Sequence, residues 1–549
     1  MRIGLKIDAE LARITSLQRV VRSTYECLSP GHEIVLLPRE YGFVSPAEQG
    51  RMAEAFLRGC DVVLGVPDAG ILAARQRLGS DVPFVCFTFG DLPLGGWSLS
   101  VQLPGLTTRD VLLVNCASER EIAHRLLGNA TVRVLPFAYD AAAFYPLDEE
   151  ERRAARKRLR FRESDRIVLY VGRIVPEKNV QMLLGLFDVL CERVPTARLV
   201  LAGDVARTSL DFFSVEPVWL SNTYAKLIAR MEHPERVRTI SGGDDRSLRE
   251  LYNIADVKVN LTLNPDENFG LAQVEAMACG TPVVGTAWGG LKDTIVDGVT
   301  GYHVSTVPTG TGVKLSWWEA LNHVAALLED PAAREAFRAP CVRESARYSQ
   351  AGYGALLEEI LAGAVHGRER PAEPLRVTPF GEEFWSVCDP RWPGAPYRRG
   401  VRSETLHRAL VTPFTAVSPE HVPAGEALDP AQVLSLATPV HLDGAGRIRL
   451  DDVFYPFEVE VPDAHRAAVG AVLARMREEP ALSVAELADA VPLPDVPGAL
   501  RWMLEAGLLL RTRPRTGWME PGIVNRRVAD PSFRVQQVDR AATDLLVYR

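Results

Sequence analysis

The chain has 549 residues, 47% of them hydrophobic and 24% charged, with a formal net charge of −8. That length exceeds what one hydrophobic core organises and implies two or three domains, while the acidic balance argues against a nucleic-acid partner, which needs a basic face. The longest apolar runs, such as "RIVLYVG" and "ARLVLAG", are strand-sized and fall far short of the ~20 residues a membrane span requires.

"MRIGLKI" reads as a first buried strand, because no signal-peptide h-region and cleavage site follow it. Apolar strands then alternate with helical segments: "HEIVLLP", "CDVVLGV", "PFVCFTF", "DVLLVNC" and "TVRVLPF". After the charged helix "DEEERRAARKRLRF" the series repeats with "RIVLYVG", "ARLVLAGD", "RVRTIS", "VKVNLTL" and "TPVVGT". Val/Ile/Leu runs without in-out alternation suit parallel strands covered on both faces, and the intervening helices imply right-handed βαβ units. The expectation is α/β: two Rossmann-like domains facing across a cleft, over residues 1–150 and 151–365. Ligands of such sheets bind at the carboxyl ends of the strands. Eight cysteines (27, 60, 86, 116, 191, 279, 341 and 388) show no C-x-x-C pair and no zinc-like spacing. They read as buried thiols of a reducing cytoplasm.

The stretch "DENFGLAQVEAMACGTPVV" follows "VKVNLTL" and carries an apolar helical pattern that stops at Gly280. Its start exposes free backbone N–H groups at Asn268, Phe269, Gly270 and Leu271, at the positive end of a helix dipole, which makes an anion site. Gly270 permits close approach of a ligand to the backbone. Glu267 is placed to accept from sugar hydroxyls, and Glu275, eight positions on, to clamp the paired hydroxyls of a ribose. Acids at helix starts also offset the dipole, and a mid-helix Glu is usually solvated, so context must decide. The context is "VLYVGRIVPEKNVQMLL", where Arg173 and Lys178 sit after Gly172 on a strand-to-helix loop. Two fixed cations there can neutralise a departing diphosphate in a dry cleft.

Five segments, "VGRIVPEKNV", "LVLAGD", "LYNIADV", "ENFGLAQVEAMACGTPVVGT" and "GGLKDTIVDGVTGYHV", occur in the order of the GT-B retaining glycosyltransferases commonly called family 4. The span from about 165 to 304 resembles their donor-binding domain. The resemblance implies that Glu267 contacts the donor sugar, that Glu275 holds the nucleotide ribose, and that Arg173 and Lys178 bind the diphosphate. It further implies that the amides from Asn268 to Leu271 cradle sugar and phosphate. Thr262 stands where the family usually has the Ser of a Pro-Ser pair. Asn268 replaces the usual Gly of Glu-Gly-Phe-Gly, and Asn tolerates a left-handed backbone, so the turn is expected to survive.

The N-terminal half resembles the family's acceptor domain more loosely, at Gly31-His32-Glu33 and from Tyr139-Asp140 to Pro146. Its "KIDAELARITSL" lacks the usual Gly-Gly loop, and the strand "PFVCFTF" leads into Phe89-Gly90-Asp91 where many members have a histidine. Asp91 is a candidate for the acceptor side, against the ordinary reading of a loop aspartate that turns the chain. In this class the acceptor proton is thought to pass to the departing phosphate, so the missing histidine does not forbid chemistry. The chain contains no Asp-x-Asp, and no metal is expected.

Trp317, Trp318 and the helices to about 365 resemble the family's crossover helices, with the tryptophans read as packing. Residues 366–435, rich in Pro, Gly and aromatics, read as an ordered connector. Residues 436–549 read as a small α+β winged-helix-like unit, with Ser483 and Glu486 as a capping box. It distantly resembles peptide-binding winged-helix domains of peptide-modifying pathways. Residues 371–549 hold 20 Arg, no Lys and 24 acids, a net of −4, which does not suit nucleic acid. A dimerisation or acceptor-docking module is the reading taken.

These expectations describe a metal-independent retaining glycosyltransferase of the cytoplasm. It takes a nucleotide diphosphate sugar as donor, needs no cofactor, and serves an acceptor hydroxyl on a small natural product, a peptide or a glycan. The alternative is a non-catalytic protein that keeps the nucleotide-sugar pocket and recruits partners through its C-terminal unit. A sugar phosphorylase or nucleotide-releasing synthase on the same fold differs only in its second substrate.

Overall fold

The structure, a computed structural model, describes residues 1–6, 15–90, 102–205, 217–264, 267–309, 312–388, 427–436, 440–450, 457–479 and 481–512. The first six strands are β1 (Arg2–Lys6), β2 (Glu33–Leu36), β3 (Val62–Gly65), β4 (Phe84–Phe87), β5 (Val111–Val114) and β6 (Thr131–Val134). They form one parallel sheet in the order β2-β1-β3-β4-β5-β6. Every residue of β3, β4 and β5 is buried, as continuous apolar runs require of strands with helices on both faces. The edge strands are more open: β2 has no buried residue and β6 has only Val132.

The second sheet contains β7 (Arg166–Val171), β8 (Ala197–Ala202), β9 (Val237–Ile240), β10 (Val257–Asn260), β11 (Val283–Thr286) and β12 (Gly301–Val304). Its order is β12-β11-β10-β7-β8-β9, again all parallel. The two Rossmann-like sheets are those expected, with β12 added: its four residues open on a glycine and carry no long apolar run. The charged helix between the sheets runs from Glu149 to Arg158, started by an Asp148–Glu151 capping box. Helix Val180–Arg193 buries Leu183, Leu186, Phe187 and Leu190 against β7 and β8. Each such side chain contributes roughly 1.5–3 kcal/mol.

Trp317 and Trp318 open helix Trp317–Glu329 and are buried in the core of the second sheet, as packing residues. Helix Gln350–His366 then returns to the first sheet, where Tyr353, Leu357, Ile360 and Leu361 pack on Ile3, Leu5, Val62 and Val85. The span 366–435, expected as an ordered connector, contains helix Pro379–Cys388. Phe380 and Phe384 lie one turn apart and stack at 6.5 Å, and Phe384 and Trp385 are buried with Leu112, Ile122 and Leu126 of the first domain. Proline and glycine in its flanks mask this short apolar face in the sequence.

Strands β13 (Thr306–Thr309) and β14 (Gly312–Leu315) form a hairpin beyond the second sheet. In the C-terminal region β15 (Val433–Leu436) pairs antiparallel with β19 (Ala481–Ser483) and β20 (Leu509–Thr512). Strands β16 (His441–Leu442), β17 (Arg447–Leu450) and β18 (Phe457–Glu460) form a second small sheet. Helices Arg466–Glu478, Val484–Ala490 and Val496–Glu505 close a separate core around Leu434, Val472, Met476, Leu487, Leu500 and Met503. The Ser483–Glu486 capping box is present. No helix among the described residues is long and apolar enough to cross a membrane.

Candidate active site

The site follows from strand order. In the second sheet β7 and β10 are neighbours, with Val168 opposite Val257 and Leu169 opposite Lys258. From β7 the chain turns toward helix Val180–Arg193 and β8; from β10 it turns the other way, toward helix Leu271–Ala278 and β11. The two loops part at a topological switch point and leave a crevice at the carboxyl ends of the strands. Gly172, Arg173 and Lys178 lie on one loop, and Thr262 and residues 267–270 on the other.

The second loop enters its helix through Gly270, whose φ is +84°. A Cβ there would lie 2.6 Å from Leu291 Cδ2 and 2.8 Å from Gln273 Nε2, so both backbone and space demand glycine. No side chain caps this helix, and its first amides face the crevice end. Asn268 does not take the left-handed conformation expected of it. Gly270 makes the turn instead, and the Asn268 side chain donates to Asn115 Oδ1 at 2.9 Å, a buried bond from the second domain to the first. Phe269 is buried edge-on between Phe137 and Tyr348, with ring centroids 5.5 and 5.2 Å away. Leu271 is the first residue of the helix.

Buried charge fills the floor of the crevice. Lys178 closes a short 3-10 turn, and the left-handed Asn179 behind it donates to the Leu261 carbonyl at 2.8 Å. That bond joins the two loops. Lys178 Nζ sits 2.6 Å from Glu267 Oε2, with both side chains largely buried. Burial pushes the Glu267 carboxyl up, but Lys178, Lys258 and a hydrogen bond from Asn260 outweigh it and hold the group below its ordinary range. Glu275 projects from the helix into a buried position where Tyr252 Oη donates to Oε2 at 2.9 Å and Arg19 donates to Oε1. Burial prevails here, and Glu275 is pushed up to about 7 against the pull of Arg19 and Tyr252.

The remaining expected residues are more peripheral. The Arg173 carbonyl accepts from Tyr170 Oη at 2.6 Å, and the Gly172 amide donates to Ala202 O at 3.0 Å, which ties this loop to β8. Thr262 is fully buried, and its hydroxyl accepts from the Asn264 amide at 3.1 Å, so it shapes the loop from beneath. Asp91 lies outside the described residues. Phe89, two positions before it, has a φ of +46° and stacks on Phe87 at 4.8 Å. Among the described residues no group of three or more His, Cys, Asp and Glu is placed to hold a metal ion.

Four participants were not singled out in the sequence. Lys258 on β10 is fully buried, donates to Gln273 Oε1 at 2.7 Å, and is brought by burial from 10.5 down to about 7 despite Glu267 nearby. Its signal was a lysine inside the apolar run "VKVNLTL". Tyr252, Gln273 and Arg19 had none, because each owes its place to the folding of a distant segment.

Residues 151–339 match the family model for glycosyl transferases group 1. The matched span holds all six strands of the second sheet. Arg173, Lys178, Thr262, Glu267 to Leu271 and Glu275 all lie inside this domain, whereas Arg19 and Asn115 lie before it. The chain is 31% identical over 298 residues to a D-inositol 3-phosphate glycosyltransferase of Kineococcus radiotolerans, a match covering 52% of this chain and 65% of the relative. It is 32% identical over 242 residues to the protein of that name from Mycobacterium tuberculosis, covering 44% of this chain and 46% of the relative. The chain thus spans between about half and two thirds of the length of these relatives. Among solved structures, sucrose-phosphate synthase from Thermosynechococcus elongatus superposes with a TM-score of 0.52 at 18% identity, over 66% of this chain and 98% of that one. A glycosyltransferase from Rickettsia africae gives 0.50 at 16%, over 66% and 98%. Both share the GT-B fold of two facing Rossmann-like domains.

Proposed function

We propose that this chain is a retaining, metal-independent glycosyltransferase that moves a sugar from a nucleotide diphosphate donor to an acceptor hydroxyl in the cytoplasm. The observation that carries the reading is the Lys178–Glu267 pair, 2.6 Å apart at the mouth of an uncapped helix start, with Glu275 about one turn along that helix. Buried ion pairs contribute little net stability, so their retention in a crevice points to use.

In this reading Glu275 takes the ribose hydroxyls, and the amides around Asn268, Phe269, Gly270 and Leu271 take phosphate and sugar oxygens. Arg173 and Lys178 neutralise the leaving diphosphate, which is the task a metal would otherwise perform. Glu267 receives a donor-sugar hydroxyl, and Lys178 keeps it ionised for that role. The bond from the anomeric carbon to the diphosphate breaks, the acceptor oxygen bonds to the same carbon from the same face, and its proton passes to the departing phosphate. The first domain holds the acceptor, and closure of the domains excludes water. The two relatives are named for D-inositol 3-phosphate, a polyol, which supports a hydroxyl acceptor. The C-terminal unit serves as an acceptor-docking or dimerisation module.

A thermal-shift series with UDP-, GDP-, ADP- and dTDP-sugars, run with and without EDTA, tests this. One donor at a hundred times its dissociation constant should add about 2.7 kcal/mol to the wild type, and Arg173→Ala and Glu275→Ala should lose the gain. Loss of the shift in EDTA would overturn metal independence. No shift with any donor would overturn the enzyme reading and turn attention to the C-terminal unit.

A further inference from the structure

The ribose-binding role proposed for Glu275 meets an unexpected neighbour. Arg19 belongs to helix Thr15–Leu28 of the first domain, 256 positions earlier in the chain and before the matched family domain. Its guanidinium forks between two acids of the second domain, with Nη1 on Glu275 Oε1 and Nη2 on Asp245 Oδ1. The stem is seated by aromatics: the guanidinium lies 5.4 Å above the Phe144 ring, and Phe144 packs edge-on against Tyr252 at 5.8 Å. Tyr252 holds the other oxygen of Glu275. Each carboxylate oxygen therefore has one protein donor, and the plane of the group is set from two sides. Each oxygen also retains a further lone-pair direction, which is what a vicinal diol needs.

We infer that Arg19 is a positioning residue of the donor site, supplied by the first domain to fix and charge the carboxylate that receives the nucleotide ribose. This inference rests on the proposed function. Its physical basis is that a carboxylate buried as Glu275 is cannot stay ionised without a paired cation, and a protonated acid is a poor acceptor for two hydroxyls. The charged and titratable groups facing Glu275 are Arg19, Asp245, Lys258, Tyr252 and Cys279. Lys258 is already engaged by Gln273, which leaves Arg19 as the cation in direct contact. Ribose recognition is thereby coupled to docking of the two domains, since the carboxylate belongs to one and its cation to the other.

The test is the pH profile of nucleoside diphosphate affinity, with UDP, GDP, ADP and dTDP titrated calorimetrically into wild type, Arg19→Gln, Arg19→Lys and Asp245→Asn. Glu275 sits near 7 because burial outweighs Arg19, so wild-type affinity should rise through that pH and level off above it. Removing Arg19 removes an opposing charge, and the midpoint should move up by about one to three pH units in Arg19→Gln. Each unit corresponds to a tenfold loss of affinity at neutral pH. Arg19→Lys should keep most of the wild-type midpoint. Asp245→Asn should move it down, because Asp245 opposes ionisation and competes for Arg19. The nucleotide phosphate titrates identically in every arm, so the shift between proteins is what reports on Glu275. A wild-type midpoint in Arg19→Gln, whatever the change in overall affinity, would overturn the inference and leave Arg19 as packing. Absence of binding to wild type at every pH would overturn the donor reading together with it.

Discussion

The two α/β domains share an architecture and differ in what they place at its switch point. In the first, the described lining of the switch point between β1 and β3 includes Leu5, Lys6, Val20, Gly65, Phe87 and Phe89, an apolar hollow in which Lys6 is answered by Asp68 at 3.4 Å; residues 7–14, which follow β1, lie outside the described residues. In the second, the corresponding crevice holds Lys178, Glu267, Lys258 and Glu275, all buried or nearly so. Strand order makes a crevice in both, but only the loops decide its chemistry. Among the described residues the first crevice is lined by apolar side chains and the second by buried charge.

The largest expected effect comes from breaking the charged crevice. Lys178→Ala leaves Glu267 buried without its direct partner, so it should destabilise the protein by about 3–5 kcal/mol and abolish donor binding. Chemical denaturation and nucleotide titration measure both. The contrasting Lys6→Ala removes a 3.4 Å pair whose Asp68 keeps Tyr41 and the Ile71 amide as donors, so it should cost less, about 1–3 kcal/mol, and leave donor affinity intact. Equal effects of the two would dissolve the contrast between the domains.

A middle effect sharpens it. The Lys258 ammonium is displaced from 10.5 to about 7, so the folded state resists its charging. The unfolded chain then binds the extra proton between these values, and stability should rise with pH across that window, the cost being fully present below about 7. Lys258→Met should remove this slope and raise the melting temperature at pH 7 by roughly a few degrees. A slope that survives the substitution would belong to another group.

The smallest effect concerns the seam between the domains. Asn268→Ala removes the buried 2.9 Å bond to Asn115 and should cost about 1 kcal/mol, with KM raised more than kcat is lowered. Steady-state kinetics after the donor is identified would check the split. A fall in kcat alone would instead assign Asn268 to the transition state.

Much of the fold was legible because its signals are local. Val/Ile/Leu runs without alternation marked buried parallel strands, Gly280 marked the end of helix Leu271–Ala278, and five ordered segments marked the donor domain. Helix Pro379–Cys388 was missed because its apolar face is two turns long and set between proline and glycine, and β12 because four residues carry no period. The left-handed turn falls at Gly270 and not at Asn268: backbone preference is a local property, while the bond of the Asn268 side chain to Asn115 spans 153 positions.

The sequence by itself determined the βαβ alternation, the Gly270 turn and the residue types that line the donor loops, since dihedral preference and hydrophobic period act over a few residues. Tertiary structure alone decided that Lys178 faces Glu267, that Lys258 comes near both acids, and that Arg19 of one domain meets Glu275 of the other. The reason is physical. Electrostatics in a desolvated crevice depends on distance through space and on burial, and neither is written in the spacing of residues along a single chain.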